Sequence, residues 1–169
     1  MPFDYPWTDA SGDAFEDGFL KFFRSARETW SVDAWKLPLA VVLDGQPVGV
    51  QEVRATDFAT AKTVETGSWL GLEWQGRGIG TEMRAAVLAL AFEGLGAVAA
   101  RSAAFEDNEA SRRISATLGY QQAGSVVVAP RGSPVRQDRF FLAKEDFPVG
   151  RWPVSINGLD ASRPMFGGV

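Results

Sequence analysis

The stretch Gln75-Gly76-Arg77-Gly78-Ile79-Gly80-Thr81 sets three alternating glycines between two different patterns. Before it lies an apolar, strand-like run at residues 67–72, and after it a long helical pattern covers residues 79–95. A glycine-rich turn that leads into a helix gathers backbone N–H groups at the positive end of the helix dipole. The stretch is therefore a predicted phosphate-binding loop, since glycine permits both positive φ angles and the close approach of a ligand.

Two familiar nucleotide-binding loops do not fit this stretch. A Walker loop needs Lys and then Ser or Thr after its last glycine, but Gly80 is followed by Thr81 and Glu82. A dinucleotide-binding loop needs its third glycine three places after the second, and an acidic residue about twenty positions further on. Here the glycines alternate, and residues 97–100 contain no acid. An ordinary turn between a strand and a helix remains the simplest alternative.

Composition narrows the functions that the chain can perform. Of its 169 residues, 46% are hydrophobic and 12% aromatic, which is enough for the core of one domain spanning residues 1–169. The net charge of −4 argues against a nucleic-acid partner. Cysteine and histidine are both absent, so neither a thiol nucleophile, nor a Ser-His-Asp triad, nor a metal site built on those residues is expected. We expect a cytoplasmic protein without a membrane partner, because no signal peptide or long apolar run is present.

The remaining patterns predict a mixed α+β fold. The predicted helices cover residues 13–30, 79–95 and 108–118, and the predicted strands cover residues 37–43, 48–54, 64–72, 97–103, 120–129 and 139–143, with a further candidate strand at 153–156. Asp44-Gly45 predicts a tight turn between the first two strands. Ser11 or Asp13 is the candidate cap of the first helix, and Asn108 is that of the third. Residues 1–12 are expected to form an irregular arm, and residues 144–169 a tail.

Three separate pieces of the chain together resemble one family. Gln75-x-x-Gly78-x-Gly80 matches the Gln/Arg-x-x-Gly-x-Gly/Ala signature of the GNAT N-acyltransferases. Residues 70–74, Leu-Gly-Leu-Glu-Trp, resemble the strand end that precedes this signature. Residues 108–111, Asn-Glu-Ala-Ser, followed by Leu-Gly-Tyr at residues 118–120, resemble the Asn-x-x-Ser…Leu-Gly-Phe/Tyr segment of the family. The match spans about residues 37–143 and is similar to the RimJ/RimL-like branch.

The resemblance implies a GNAT fold, a mostly antiparallel sheet flanked by helices, although the chain shows no counterpart of the family's first strand and helix. It also implies a coenzyme A (CoA) thioester as acyl donor, with the CoA pyrophosphate on the N–H groups of residues 76–81. The pantetheine arm would lie like an extra strand against residues 68–70. The implied cofactor-binding residues are Ser68, Trp69, Leu70, Gln75, Gly76, Arg77, Gly78, Ile79, Gly80, Thr81, Asn108 and Ser111. Arg112 or Arg113 would reach the phosphates of the nucleotide.

The absence of histidine and cysteine is compatible with the mechanism that the resemblance implies. In this family the amine attacks the thioester directly, and positioning supplies much of the rate. The backbone N–H of Leu70 would stabilise the oxyanion. Many relatives use a tyrosine as general acid at the position of Ser115, whereas RimL-like members use the serine that corresponds to Ser111, our preferred acid. Glu52 is a weak candidate for the base, and Asp57, Glu65 and Glu73 are the alternatives.

The identities of donor and acceptor stay open at this stage. Most of the family uses acetyl-CoA, but the chain and its tail resemble a mycobacterial GNAT branch that is associated with succinyl-CoA. A succinyl donor would need a cation such as Arg54 or Arg139 for its distal carboxylate. The acceptor is expected to be a primary amine of a protein or a small molecule. Six aromatic residues would form either the wall of the acceptor site or part of the core: Phe3, Tyr5, Trp7, Trp30, Trp35 and Phe58.

Two alternatives follow from the missing first strand. The chain could be a CoA-binding module with impaired catalysis. The missing strand would also expose the edge of the strand at residues 37–43. The segment at residues 153–156, or a second subunit in a homo-oligomer, would then cover that edge.

Overall fold

The computed structural model describes residues 10–130 and 132–167, which form a six-stranded sheet with the order β1-β2-β3-β4-β6-β5. The strands are β1 (Ala34–Leu43), β2 (Gln46–Thr56), β3 (Thr63–Leu70), β4 (Ala99–Phe105), β5 (Gln121–Val128) and β6 (Val135–Ala143). Neighbouring strands are antiparallel except for β3 and β4, which run parallel. The predicted α+β class with a mostly antiparallel sheet is confirmed.

The three predicted helices occur in the predicted order, and two further short helices were not predicted. They are α1 (Asp13–Glu28), α2 (Phe58–Ala61), α3 (Ile79–Ala89), α4 (Glu109–Thr117) and α5 (Leu159–Ser162), with a π-helical turn at Leu90–Gly94 and 3-10 turns at Leu72–Trp74, Lys144–Asp146 and Arg163–Phe166. None of the helices within residues 10–130 and 132–167 combines the length and the apolar character needed to cross a bilayer. In this part of the chain no strand precedes α1.

The local turns show where sequence patterns were sufficient and where they were not. Asp44 and Gly45 both have positive φ angles, 50° and 79°, as the primed turns that suit a hairpin require. The proposed capping of α1 by Ser11 or Asp13 is wrong. Gly12 occupies the cap position with a φ of 56°, and its carbonyl accepts the N–H groups of Phe15 and Glu16.

The candidate strand at residues 153–156 is also wrong, because these residues have no regular secondary structure. The end of the tail is fixed by two indole N–H groups instead. Trp30 donates to the Met165 carbonyl at 2.9 Å, and Trp35 donates to the Phe166 carbonyl at 3.3 Å. The Phe166 ring packs edge-on against Trp35 with a centroid distance of 5.0 Å. The tail therefore adds aromatic packing and no strand, and β1 remains an edge strand of the sheet.

The two faces of the sheet are covered by different helices. The main core lies under α3 and α4, where Val64, Leu88, Phe92, Leu118 and Leu142 are all essentially inaccessible to solvent. On the opposite face, α1 lays aromatic side chains against the sheet, and Phe19 meets Trp69 edge-on at 6.1 Å. The face with α3 and α4 therefore carries most of the apolar burial that stabilises the fold.

The sheet opens between β3 and β4. These parallel strands pair only at Thr63–Ala99, Val64–Ala100 and Glu65–Arg101. Beyond these pairs β3 continues with β2, while β4 continues with β6 as far as Phe105. The two strands thus separate, and over residues 66–70 one edge of β3 has no neighbouring strand in the described part of the chain.

Candidate functional site

A cleft of about 1000 Å³ occupies the gap between β3 and β4. Its walls come from the second half of β3, from β4 and β6, from the loop before α3, and from α4. It is larger than a second cavity of about 570 Å³, which Trp35 and Lys36 of β1 line together with Ala55 and Thr56 of β2. A cleft of this size is large enough for an extended cofactor as well as a second substrate.

The glycine loop, residues 75–81, closes one end of this cleft. Gly76 and Gly78 have φ angles of 74° and 86°, a region that residues with a Cβ rarely adopt. Gly78 precedes α3, and its carbonyl accepts the N–H groups of Thr81 and Glu82. The N–H groups at the very start of a helix have no carbonyl of a preceding turn to bond. The loop therefore presents backbone donors at the positive end of α3.

Gly80 serves packing in the same loop. A Cβ placed there would lie 2.9 Å from Cδ1 of Ile114 on α4. The missing side chain lets α3 and α4 approach each other beside the cleft.

The open edge of β3 carries backbone groups that point into the gap. The N–H of Gly71 donates to the Val48 carbonyl of β2 at 3.0 Å. Backbone groups of successive strand residues point alternately to opposite edges, so those of Leu70 and Ser68 point toward β4. The Leu70 carbonyl is bonded on that side by Nε2 of Gln75 at 3.1 Å. The N–H groups of Leu70 and Ser68 are thus directed at the cleft.

Asn108 begins α4 as predicted. Its Oδ1 accepts the Ser111 N–H at 3.1 Å, which makes it the N-cap. The amide group of the same side chain keeps its two donor hydrogens, and Asn108 lines the cleft. The geometry confirms the predicted cap and places Asn108 and Ser111 at one wall.

Arg84 is the side chain that sequence reasoning missed. It belongs to α3, is only 4% exposed, and still reaches the cleft. Its Nη1 donates to Ser115 Oγ at 3.0 Å, and its Nη2 lies 3.4 Å from both Ser68 Oγ and Ser111 Oγ. We refer to Ser68, Arg84, Ser111 and Ser115 as the serine–arginine centre.

The guanidinium of Arg84 has no carboxylate partner among the described residues, and its Nε has no hydrogen-bond acceptor there. Burial lowers the pKa of Arg84 from its ordinary value, with the nearby Tyr120 opposing the shift. A buried cation without a counterion costs free energy and often marks a functional site. One available sign was its position: Arg84 stands four residues after Gly80 and four before Leu88, on a face that is otherwise apolar or small.

Tyr120 lies behind the serine–arginine centre rather than in the cleft. It is 5% exposed, and its hydroxyl lies 3.3 Å from Thr66 Oγ1. Burial raises the pKa of Tyr120, against smaller opposite effects of the Thr66 hydrogen bond and the Arg84 charge. The Tyr120 side chain belongs to the buried core cluster.

The carboxylates named as base candidates differ in position. Glu65 lines the cleft, and Glu52 flanks it from β2 opposite Gly67. Arg54 bridges the two, with contacts of 3.1 Å to Glu52 and 2.8 Å to Glu65. Partial burial alone would lower the pKa of Arg54, but its bonds to Glu65 and Glu52 outweigh burial and raise it. Asp57 and Glu73 do not line the cleft.

The other arginines considered for phosphate or succinyl binding differ in the contacts that they already make. Arg112 contacts the buried Asp138 at 3.5 Å and the Glu106 carbonyl at 3.1 Å. Arg113 lines the cleft with a side chain that is 75% exposed, and among the described residues its ion-pair partner is Glu109 on its own helix. Arg77 lies 5.1 Å from the centre of the Trp74 ring. Arg139 lines the cleft from β6 and forms no ion pair with any described residue.

Three of the aromatic residues considered for an acceptor wall belong to the core. Trp35 and Phe58 are almost fully buried and meet edge-on at 5.6 Å, and Trp30 stacks on Trp35 at 5.9 Å. None of the three lines the cleft. Phe3, Tyr5 and Trp7 lie outside the described residues.

The chain belongs to the GNAT acetyltransferase family, whose domain model matches residues 1–121. Members of this family take their acyl group from a CoA thioester, and the chain is an N-acetyltransferase of this family. The predicted GNAT membership is confirmed.

Solved structures share the fold at low sequence identity. RimJ of Mycobacterium smegmatis in complex with CoA-disulfide has a TM-score of 0.65 and 19% identity, over 80% of this chain and 63% of that one. A GNAT-family acetyltransferase from Bacillus anthracis has a TM-score of 0.64 and 15% identity, over 78% and 75%. The microcin C7 self-immunity acetyltransferase MccE, in complex with acetyl-CoA and AMP, has a TM-score of 0.57 and 20% identity, over 78% and 70%.

Proposed function

We propose that the protein transfers an acetyl or succinyl group from CoA to a primary amine of a protein or a small molecule, by direct attack in a ternary complex. The observation that carries this proposal is the cleft, which joins the helix-start donors of the glycine loop to the open edge of β3. One wall can bind phosphate, and the other can bind an extended amide chain. Those are the two chemical parts of CoA that any acyl-CoA enzyme must hold.

In the proposed complex the CoA pyrophosphate accepts hydrogen bonds from the N–H groups of residues 76–80, since the N–H of Thr81 is already bonded to the Gly78 carbonyl. The pantetheine arm lies in the gap between β3 and β4 and pairs with the backbone of Ser68 and Leu70, as a strand would. The free amide hydrogens of Asn108 bond the arm from the opposite wall. Arg113, exposed at the cleft and paired with Glu109 of its own helix, is better placed for the nucleotide phosphates than Arg112, which contacts the buried Asp138.

The chemistry requires one bond to form and one to break. The amine nitrogen attacks the thioester carbon, and the carbon–sulfur bond then breaks with its electron pair going to sulfur. The N–H of Leu70 stabilises the oxyanion, and Ser111 offers its hydroxyl proton to the departing sulfur. The ammonium proton passes to a carboxylate, for which Glu52 or Glu65 is the candidate, through water if needed.

The available cations bear on the choice of donor. Arg54 is occupied by Glu52 and Glu65, so it is a poor partner for the distal carboxylate of a succinyl group. Arg139, without an ion pair in the described part of the chain, is the better candidate. A succinyl donor remains part of the proposal on this ground, beside acetyl-CoA.

Thermal unfolding in the presence of CoA, acetyl-CoA and succinyl-CoA tests the proposal. A ligand at about 100 times its dissociation constant stabilises the folded state by about 2.7 kcal/mol, so binding raises Tm and ranks the donors. Release of free thiol in the presence of a panel of amines then tests turnover. If no CoA compound raises Tm, the proposal is wrong. If CoA raises Tm but no amine releases thiol, the chain is a binding module.

A further inference from the structure

In the serine–arginine centre, the hydroxyl protons of Ser68 and Ser111 point away from Arg84. A guanidinium only donates hydrogen bonds, so the oxygens of Ser68 and Ser111 must accept from Arg84. The Ser115 hydroxyl donates to the Ser111 carbonyl at 3.0 Å and is wholly buried. Within the described residues, the hydroxyl protons of Ser68 and Ser111 have no acceptor. Both side chains line the cleft, one from β3 and the other from α4.

The two hydroxyls therefore form a donor pair that is backed by a buried positive charge. Low local polarity strengthens each such interaction, and a cation behind the oxygens makes their protons more positive. An arrangement of this kind suits an anion or a developing negative charge between β3 and α4. It lies about 9 Å along α3 from Gly78, since Arg84 is six residues further on and each residue rises about 1.5 Å.

We propose that Arg84 is a positioning residue that stabilises the CoA thiolate through the hydroxyls of Ser68 and Ser111. This inference rests on the proposed function and changes the role of Ser111 from an acid that gives up its proton to a hydrogen-bond donor that keeps it. A serine hydroxyl is a much weaker acid than a thiol, whose ordinary pKa is about 8.5. Full proton transfer from Ser111 to sulfur would thus be uphill. Two hydrogen bonds backed by Arg84 instead stabilise the sulfur as an anion while the carbon–sulfur bond breaks.

The atoms balance without a proton from serine. The electron pair of the broken bond stays on sulfur, and the attacking amine gives its proton to the base and then to solvent. The CoA thiolate takes a proton from water after it leaves the cleft. Ser68 becomes a second catalytic residue, because its hydroxyl contacts the same sulfur as Ser111.

The decisive experiment titrates CoA on the enzyme. The ultraviolet absorbance of the thiolate is followed with pH, as the difference between complexes with CoA and with desulfo-CoA, which lacks the sulfur. On the wild-type chain we expect the bound thiol to have a pKa below that of free CoA, with about a tenfold larger ionised fraction at pH values below both. CoA should also gain affinity over desulfo-CoA as pH rises.

Arg84→Met is the key variant, because Met has a long apolar side chain that suits a buried position. It should abolish the thiolate signal and lower kcat about 100-fold, with the KM for the acyl donor little changed. Arg84→Lys keeps the charge without the planar fork and should recover part of the signal. Arg24→Met on the exposed surface of α1 is the matched control and should change neither quantity.

A second variant guards against loss of folding. If Arg84→Met fails to unfold cooperatively, the double variant Ser68→Ala/Ser111→Ala, which keeps Arg84, should lose the thiolate signal. The inference is overturned if the bound thiol titrates like free CoA, or if its pKa is lowered equally in Arg84→Met. In both cases CoA binding and turnover would still stand, so the proposed function would survive. If CoA does not bind at all, both fall.

Discussion

The two ends of the cleft differ in how they are built. The glycine loop uses backbone N–H groups of consecutive residues, and its geometry follows from glycines at positive φ. The serine–arginine centre uses side chains from β3, α3 and α4, and its contacts join residues 16 to 31 positions apart in sequence. A loop whose geometry depends on consecutive residues can therefore be predicted from the sequence. A site made of distant side chains appears only once the strands and helices are in place.

A substitution in the serine–arginine centre should lower turnover more than any other change proposed below. Ser111→Ala should lower kcat by about 100-fold or more, because a donor to the leaving group is lost. Affinity for CoA should change little, since the glycine loop and the edge of β3 are intact. Steady-state kinetics with acetyl-CoA and calorimetric binding of CoA measure the two effects separately.

Ser25→Ala, an exposed change on α1, is the control for this experiment. A value of kcat within twofold of wild type in Ser111→Ala would show that Ser111 has no catalytic role.

The next largest effect concerns the glycine loop. Gly78→Ala forces a Cβ onto a φ of 86°, which costs about 1–2 kcal/mol and displaces the helix-start donors. If the displaced loop returns to this strained geometry when CoA binds, the cost is paid on binding; because about 1.4 kcal/mol corresponds to a factor of ten, CoA affinity should fall about tenfold, with a much smaller change in kcat at saturation. The open space around Gly78 means that steric contact is not the cause.

Gly45→Ala provides a matched control, since Gly45 has a φ of 79° and equally open surroundings in the β1–β2 turn. It should lower Tm without altering the dissociation constant for CoA. Equal affinity in Gly78→Ala and wild type would rule out the loop as the phosphate site.

A smaller effect is expected from the exposed Arg113. Arg113→Ala should weaken CoA binding by about threefold at low salt, the effect of an interaction worth well under 1 kcal/mol at a solvated position. The loss should shrink as salt screens the phosphates. Binding titrations at two ionic strengths measure it.

Arg112→Ala is the paired variant on the same helix. Because Arg112 contacts the buried Asp138, it should lower Tm and leave CoA affinity unchanged. The reverse pattern between the two variants would transfer the phosphate contact to Arg112.

The smallest effect is on stability at high pH. Burial raises the pKa of Tyr120 above its ordinary value of 10.0, so above about pH 10 the unfolded chain loses this proton while the folded chain keeps it. The free energy of unfolding therefore falls as pH rises in that range. Tyr120→Phe removes the ionisable hydroxyl, so the Tm of this variant should fall less steeply than that of the wild-type chain between pH 9 and about 11. Parallel curves for the two proteins would contradict the buried position of the phenol.

The sequence was sufficient to predict the fold and the glycine-rich turn at one end of the cleft. Gly78 and Gly80 carry information in their own conformation and packing, and Asn108 caps a helix through a contact three residues away. Arg84 could not be found in this way, because its burial and its three serine contacts exist only after α3 packs against β3 and α4. The wrong strand prediction at residues 153–156 has a similar cause, since the tail is held by Trp30 and Trp35, more than 120 positions earlier.

The short ladder between β3 and β4 has a mechanical consequence. Three residue pairs join two three-stranded halves of the sheet, β1–β2–β3 and β4–β6–β5. A pantetheine arm in the gap would connect these halves beyond Glu65 and Arg101, where β3 and β4 no longer pair. Bound CoA would then restrict movement between the two halves of the sheet. Each release of CoA would make the sheet more flexible until the next donor binds.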